Sequence, residues 1–246
     1  MLLRYLVIIT IIFNTVTTGI YSGQRDKFVF TQLKYDGDWD PYPFTYQDIF
    51  SFLGLTTSIK FLQDRRIITV KDNLLFSSPF VVMLNNGAFT GFTDSERKQL
   101  IRYLTNGGIM FVEDSSGYKQ SHFDKTIRNE IEKMFPDRKF RKIPRDNPIY
   151  RSFYLLRGIT GRRLTNNYIE GLDIDNRTAI IYSQNDLFGA WARDKYGNYF
   201  LECVPGGETQ RFEAQKLTLN IIIYSLTGTY KSDYIHQPFI EQKLRR

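Results

Sequence analysis

Four polar runs each follow directly on a hydrophobic run. They carry Asp36, Asp38, Trp39 and Asp40; Asn85, Asn86 and Gly87; Glu113, Asp114, Ser115 and Ser116; and Ser183, Gln184, Asn185 and Asp186. Carboxylates brought together from different loops can serve as acid and base, or hold a hard cation through oxygen ligands. Asp114, Asp38 and Asp186 are the catalytic candidates on this reading. Asp36, Asp38, Trp39, Asp40, Asn85, Asn86, Asp114, Ser115, Ser116, Asn185 and Asp186 form the wider binding set. The same residue types are ordinary turn and cap formers, so turn chemistry accounts for any one run alone. The first run exceeds that need, because Trp39 sets a large apolar face beside three acids. Its indole is either a platform for a ligand or a plug beneath the loop.

Other chemistries lack their residues. The sequence holds no Gly-x-Ser-x-Gly, no Gly-x-x-x-x-Gly-Lys and no His-Glu-x-x-His, and the glycines of "NGGIMFVEDSSG" precede a strand instead of following it. Cys203 is the single cysteine and reads as a small core residue, which excludes an intrachain disulfide and a multi-thiolate metal site. His122 and His236 are the only histidines and leave little for zinc. No cofactor motif is present. A divalent cation is compatible with the carboxylates but has no further support.

These loops need a scaffold that brings them to one place. From Lys27 onward, strand-like and helix-like stretches alternate with short breaks, the rhythm of an α/β domain with a mostly parallel sheet and helices on both faces. "KFVFTQLKY", "RIITV", "FVVML", "GIMFV" and "AIIYS" read as strands, the middle ones apolar throughout as buried parallel strands are. Thr45 and Asp48 suggest a capped helix carrying Ile49, Phe50 and Leu53. Thr93 and Glu96 form a capping box for a helix ending at Gly107. A last helix is expected over about Thr209 to Leu226, stopping at Gly228, its wide apolar surface packed on the sheet. In such sheets the loops after parallel strands open onto one edge, where ligands bind.

The chain has 246 residues, of which 42% are hydrophobic, 15% aromatic and 24% charged, enough apolar material for one packed domain and unlike a disordered chain. Residues 1–22 place Arg4 before an apolar stretch from Tyr5 to Phe13, the layout of a secretory signal, or of a signal anchor if uncleaved. The expected organisation is this leader, a single domain over 24–228, and a basic tail over 229–246. The net charge of +7 is concentrated in "DRKFRKIPR" and "RGITGRR". In an exported protein such runs favour weak contact with an anionic membrane surface over nucleic acid, for which there is no recognition motif.

Taken in order, "LKYDGDWDPYP", "LTNGGIMFVEDSSG", "NPIYRSFYLLRGI", "IYSQNDLFGAW" and "LTLNIIIYSLTGTYKSD" resemble an uncharacterised bacterial domain-of-unknown-function family. Its members look like class I glutamine amidotransferase-like domains, with a flavodoxin-like sheet, and are similar in outline to the ThuA-like group. The resemblance covers about Phe28 to Ser232. It implies a periplasmic or cell-envelope protein from gene neighbourhoods with MoxR-type ATPases. In true amidotransferases the strand after the "LIRYLTNGG"-like helix ends in an elbow bearing the catalytic cysteine. This chain reads Val112-Glu113-Asp114-Ser115 there, so glutamine hydrolysis by that route is excluded. Two functions remain as expectations: a non-catalytic module that binds an envelope protein or cell-wall ligand, and a carboxylate-based, metal-assisted hydrolase acting on a glycan or related polymer.

Overall fold

The computed structural model describes residues 27–231 apart from 157, 159, 160 and 176. The expected leader over 1–22 and the part of the expected tail beyond 231 lie outside the described residues. Among the described residues no helix is long and apolar enough to cross a membrane.

The architecture is a mixed α/β fold around one seven-stranded sheet in the order β2-β1-β3-β4-β7-β6-β5. The strands are β1 (Thr31–Leu33), β2 (Arg66–Ile68), β3 (Phe80–Asn85), β4 (Ile109–Asp114), β5 (Arg141–Lys142), β6 (Glu170–Ile174) and β7 (Arg177–Ser183). β2, β1, β3, β4 and β7 run parallel, whereas β6 pairs antiparallel with both β7 and β5. Every residue of β3 and β4 is buried, as the apolar runs predict for strands covered on both faces.

Four helices supply that cover: α1 (Thr45–Thr56), α2 (Asp94–Thr105), α3 (His122–Met134) and α4 (Gly207–Lys231). Alternate strand residues divide between two cores. Val82, Leu84, Phe111 and Ile181 pack with Ile49 and Leu53 of α1 and Leu217 and Ile221 of α4. Val81, Met83, Met110 and Val112 pack with Leu100 and Leu104 of α2 and Ile127 and Ile131 of α3. Burying one such Leu, Ile or Phe contributes roughly 1.5–3 kcal/mol, so the two faces hold the strands in register and fix where their loops emerge.

The helix ends show where local signals acted. The Thr93–Glu96 capping box is present at α2. At α1 the cap differs from expectation: Phe44 precedes the helix without a side-chain cap, the Thr45 hydroxyl donates to the Tyr42 carbonyl at 2.5 Å, and Asp48 pairs with Arg193. α4 begins two residues before the expected start and runs on through 229–231, so the polar residues after Gly228 begin as helix.

Candidate functional site

The loop after β1 is tied down at two points. The Arg65 guanidinium grips both oxygens of Asp40 at 2.6 Å and donates to Gln32 at 2.6 Å, and Gln32 in turn donates to the Trp39 carbonyl at 3.0 Å. Further out, Gly37 bridges Phe89, the Asp38 amide donates to the Ala88 carbonyl at 3.2 Å, and the Asn86 amide donates to the Asp38 carbonyl at 3.4 Å. A β-carbon at Gly37 would stand 2.9 Å from the Tyr35 ring and closer still to the Ala88 carbonyl, so this contact needs glycine. Asp36 and Asp38 are exposed, and their carboxylates make no hydrogen bond or ion pair among the described residues. Trp39 belongs to neither core. It is half-buried, with the Lys34 ammonium 5.7 Å and the Arg65 guanidinium 5.9 Å from its ring centre, which removes the core-plug reading.

The loops after β3 and β4 frame a pocket of about 430 Å³ with the start of α3. Its lining comes from Asn85 to Ala88 after β3, from Asp114 and Ser116 at the end of β4, and from Ser121, His122 and Phe123 at the start of α3; Asp114 itself is fully buried. Asn85 is buried and shapes its wall by donating to the Tyr35 hydroxyl at 2.9 Å and the Ala88 carbonyl at 3.1 Å, while accepting from the Gly87 amide at 2.8 Å. Asp114 accepts from the Ser116 amide at 3.1 Å and the Ser121 hydroxyl at 2.5 Å; that same hydroxyl caps α3 through the Asp124 amide. Ser115 is buried, and its hydroxyl has no partner among the described residues. Asp38 stands at the rim, its carboxylate 3.5 Å from where a β-carbon of Gly87 would be.

The loop after β7 turns inward instead. Asp186 is fully buried, holds a left-handed backbone (φ 54°), and pairs with the Arg162 guanidinium. Its carboxylate also accepts from the Tyr42 hydroxyl at 3.1 Å and the Gly189 amide at 3.1 Å. Glu113, equally buried, accepts from the amides of Leu187 at 2.5 Å and Phe188 at 2.9 Å. Burial, and then the neighbouring Asp186 charge, push the Glu113 carboxyl well above the usual carboxylate range despite those amides. Burial raises Asp186 as well, against the pull of Arg162 and Tyr42. Such a pair titrates as a unit. Asn185 is buried beside it, clasping Asn166 by two bonds of 2.8 Å.

The carboxyl edge thus gathers the β1, β3 and β4 loops around an open pocket and buries the β7 loop. Of the three catalytic candidates, only Asp114 lines the pocket; Asp38 is at its rim and Asp186 is sealed away. Among the described residues no three His, Cys, Asp or Glu side chains are grouped to hold a metal ion. Cys203 is buried and free, with burial raising its thiol. Sequence reading missed Tyr42, Arg65 and Arg162 as parts of this edge, whereas His122, six or seven residues beyond Ser116 and Ser115, was within its view. Nothing local marks the three that were missed, whose partners are distant in the chain.

The molecule is therefore a mixed α/β domain with a polar pocket where its parallel strands end. A family profile described as "Domain of unknown function (DUF4159)" matches residues 29–226, which include every loop of this edge, and the chain belongs to that family. No curated protein matches the chain.

Proposed function

We propose that this is an exported envelope protein whose domain binds a partner protein or cell-wall ligand in the pocket between the β3 and β4 loops, without catalysing a reaction. The observation that carries the reading is the state of the pocket's carboxylate: both Asp114 oxygens are occupied, by Ser116 and Ser121, while Asn86, Ser116 and His122 line the space around it. Hydrogen-bonding walls without a poised acid and base suit recognition. A carboxylate hydrolase would need two carboxylates free to face one substrate; Asp186 faces Arg162 and Asp114 is held by Ser116 and Ser121, which leaves Asp38 at the rim as the one unpartnered acid beside the pocket among the described residues.

The finer fold assignment belongs to the same proposal. The parallel strands follow the order β2-β1-β3-β4-β7 and reverse their winding between β1 and β3, which supports a flavodoxin-like fold of the class I glutamine amidotransferase and ThuA-like kind. The amidotransferase elbow position falls at the end of β4, which carries carboxylates and a serine. Export rests on the leader's sequence, and the MoxR-type neighbourhood on the resemblance.

The test is a photo-crosslinking side chain placed at exposed Ala88 on the pocket wall, and in a control at Leu74, 49% exposed and outside the pocket. In the native envelope, position 88 should label one protein species or peptidoglycan fragments that position 74 does not. Equal labelling from both positions sinks the proposal.

A further inference from the structure

A cleft of about 670 Å³ lies along α3 and the chain that leads into β5. It has no part in the carboxyl-edge pocket. Its lining includes Lys125, Arg128, Arg138, Lys139 and Arg141 against the carboxylates of Glu132 and Asp137. Arg128 is committed to Asp124 and Glu170, with its guanidinium over the Phe140 and Tyr182 rings. Lys125, Lys139 and Arg141 are exposed and have no ion pair or side-chain hydrogen bond among the described residues. A second cleft of about 340 Å³ shares Asp137, Arg138, Lys139 and Arg141 and continues onto Gly171–Asp173.

The same segment ends the sheet. β5 pairs with β6 on one side and has no strand on the other among the described residues. Arg141 stands opposite Gly171 and Lys142 opposite Glu170, and the Ile143 amide donates to the Ile169 carbonyl at 3.0 Å. In an antiparallel pair the hydrogen-bonded positions alternate, so the backbone N–H and C=O of Lys142 point away from the sheet. An open edge of this kind accepts an extended peptide through main-chain bonds.

We infer that this basic cleft and the β5 edge form a docking groove for an extended, acidic segment of a partner protein. The unpaired cations supply charge complementarity. Phe140 and Ile131, both buried core residues, lie at the edge of the groove's lining and leave recognition to the cations and the strand edge. The cations line a cleft that runs up to an open strand edge, an arrangement that suits an extended peptide. This groove is independent of the carboxyl-edge pocket, so either assignment can fail without the other.

Three fluorescent probes test it on the full-length chain: an eight-residue peptide alternating glutamate with valine, its lysine–valine counterpart, and phosphatidylglycerol vesicles. The glutamate peptide should bind saturably and the lysine peptide should not. Combined Lys125→Glu, Lys139→Glu and Arg141→Glu should weaken glutamate-peptide binding at least about tenfold with Tm unchanged. Lys142→Pro, which removes the outward N–H at an edge position that tolerates proline, should weaken binding further than Lys142→Gln, which removes the charge alone. Absence of glutamate-peptide binding overturns the inference, as does binding indifferent to the three reversals. Vesicle binding that exceeds peptide binding and depends on the same three cations overturns it in favour of a membrane surface. Equal effects of Lys142→Pro and Lys142→Gln overturn the strand-addition geometry.

Discussion

The two halves of the carboxyl edge employ the same residue types for opposite ends. Beside β3 and β4, asparagine, serine and aspartate hold loops apart and leave a pocket between them. Beside β7, asparagine and aspartate pull loops together around Asp186, which is as fully buried as Asp114 but lies against Arg162 and Tyr42 and does not line that pocket. The difference lies in what the surrounding chain supplies. Asp114 meets a hydroxyl and an amide from its own loop, enough to orient it beneath the pocket lining while it is itself fully buried. Asp186 meets a guanidinium and a phenol brought from two other segments, enough to seal it in. An aspartate after a parallel strand therefore has no fixed role; its distant partners decide whether it faces a ligand or closes the core.

The largest effect should come from breaking the sealed half. Arg162→Met removes the cation that pairs with Asp186 among the described residues and leaves that buried carboxylate without a counter-charge, a change that typically costs about 3–5 kcal/mol. Tm should drop on the order of 10 °C. Asp114→Asn keeps an acceptor for the Ser116 amide or the Ser121 hydroxyl and should cost roughly 1–3 kcal/mol. Thermal melts of the two variants side by side check the comparison; a larger drop for Asp114→Asn would reverse the assignment of sealed and open halves.

How far these roles could be read in advance follows from the range of the interactions. β3, β4 and β7 were legible because buried parallel strands are apolar throughout, and α2 because its cap and its glycine stop lie within its own sequence. α3 was missed although Ser121 caps it and Phe123, Ile127, Ile131 and Met134 recur at helical spacing, because its exposed face is dense in charge. β5 was missed because it is two exposed basic residues, and β6 because it carries only Leu172 and Ile174 as large apolar residues and its antiparallel pairing breaks the strand–helix rhythm. Placing the polar loops on one edge needed only the parallel order. Separating pocket from seal needed Tyr42 against Asp186, 144 residues apart, and no local pattern encodes that contact.

A smaller effect should separate the halves by pH. Glu113, with an ordinary value of 4.5, is raised by burial and by Asp186. A carboxyl whose pKa is higher folded than unfolded binds its proton more tightly in the fold. It therefore adds stability that is complete below the unfolded value and is lost as pH rises through the folded one. Glu130 shows the opposite behaviour: burial raises it, but Lys133, Arg97 and the Phe92 amide outweigh this and hold it low, so its contribution is already complete in mild acid. Above the ordinary Glu113 value of 4.5 the sealed pair should dominate, with Tm falling as pH rises until the folded carboxyl has lost its proton. Glu113→Gln cannot titrate and should flatten that slope. A slope unchanged in Glu113→Gln would place its origin elsewhere.

The smallest stability effects belong at the rim of the open half, where binding effects should be largest. Asp38 is exposed and its carboxylate has no partner among the described residues, so Asp38→Asn should change stability by less than about 0.5 kcal/mol. Trp39 sits between Lys34 and Arg65 outside both cores, so Trp39→Ala should cost about 1 kcal/mol, the scale of exposed cation–π contacts. A core indole would cost about 3–5 kcal/mol. The loop's anchor is Asp40, gripped at both oxygens by Arg65, and Asp40→Asn breaks that fork, so it should cost more than either rim substitution. If the rim serves the pocket, Asp38→Asn should reduce labelling from the crosslinker at position 88 while the melt stays put. If Trp39→Ala instead unfolds the protein as a core truncation would, the loop after β1 belongs with the sealed half, and the contrast between the two halves stops at β3.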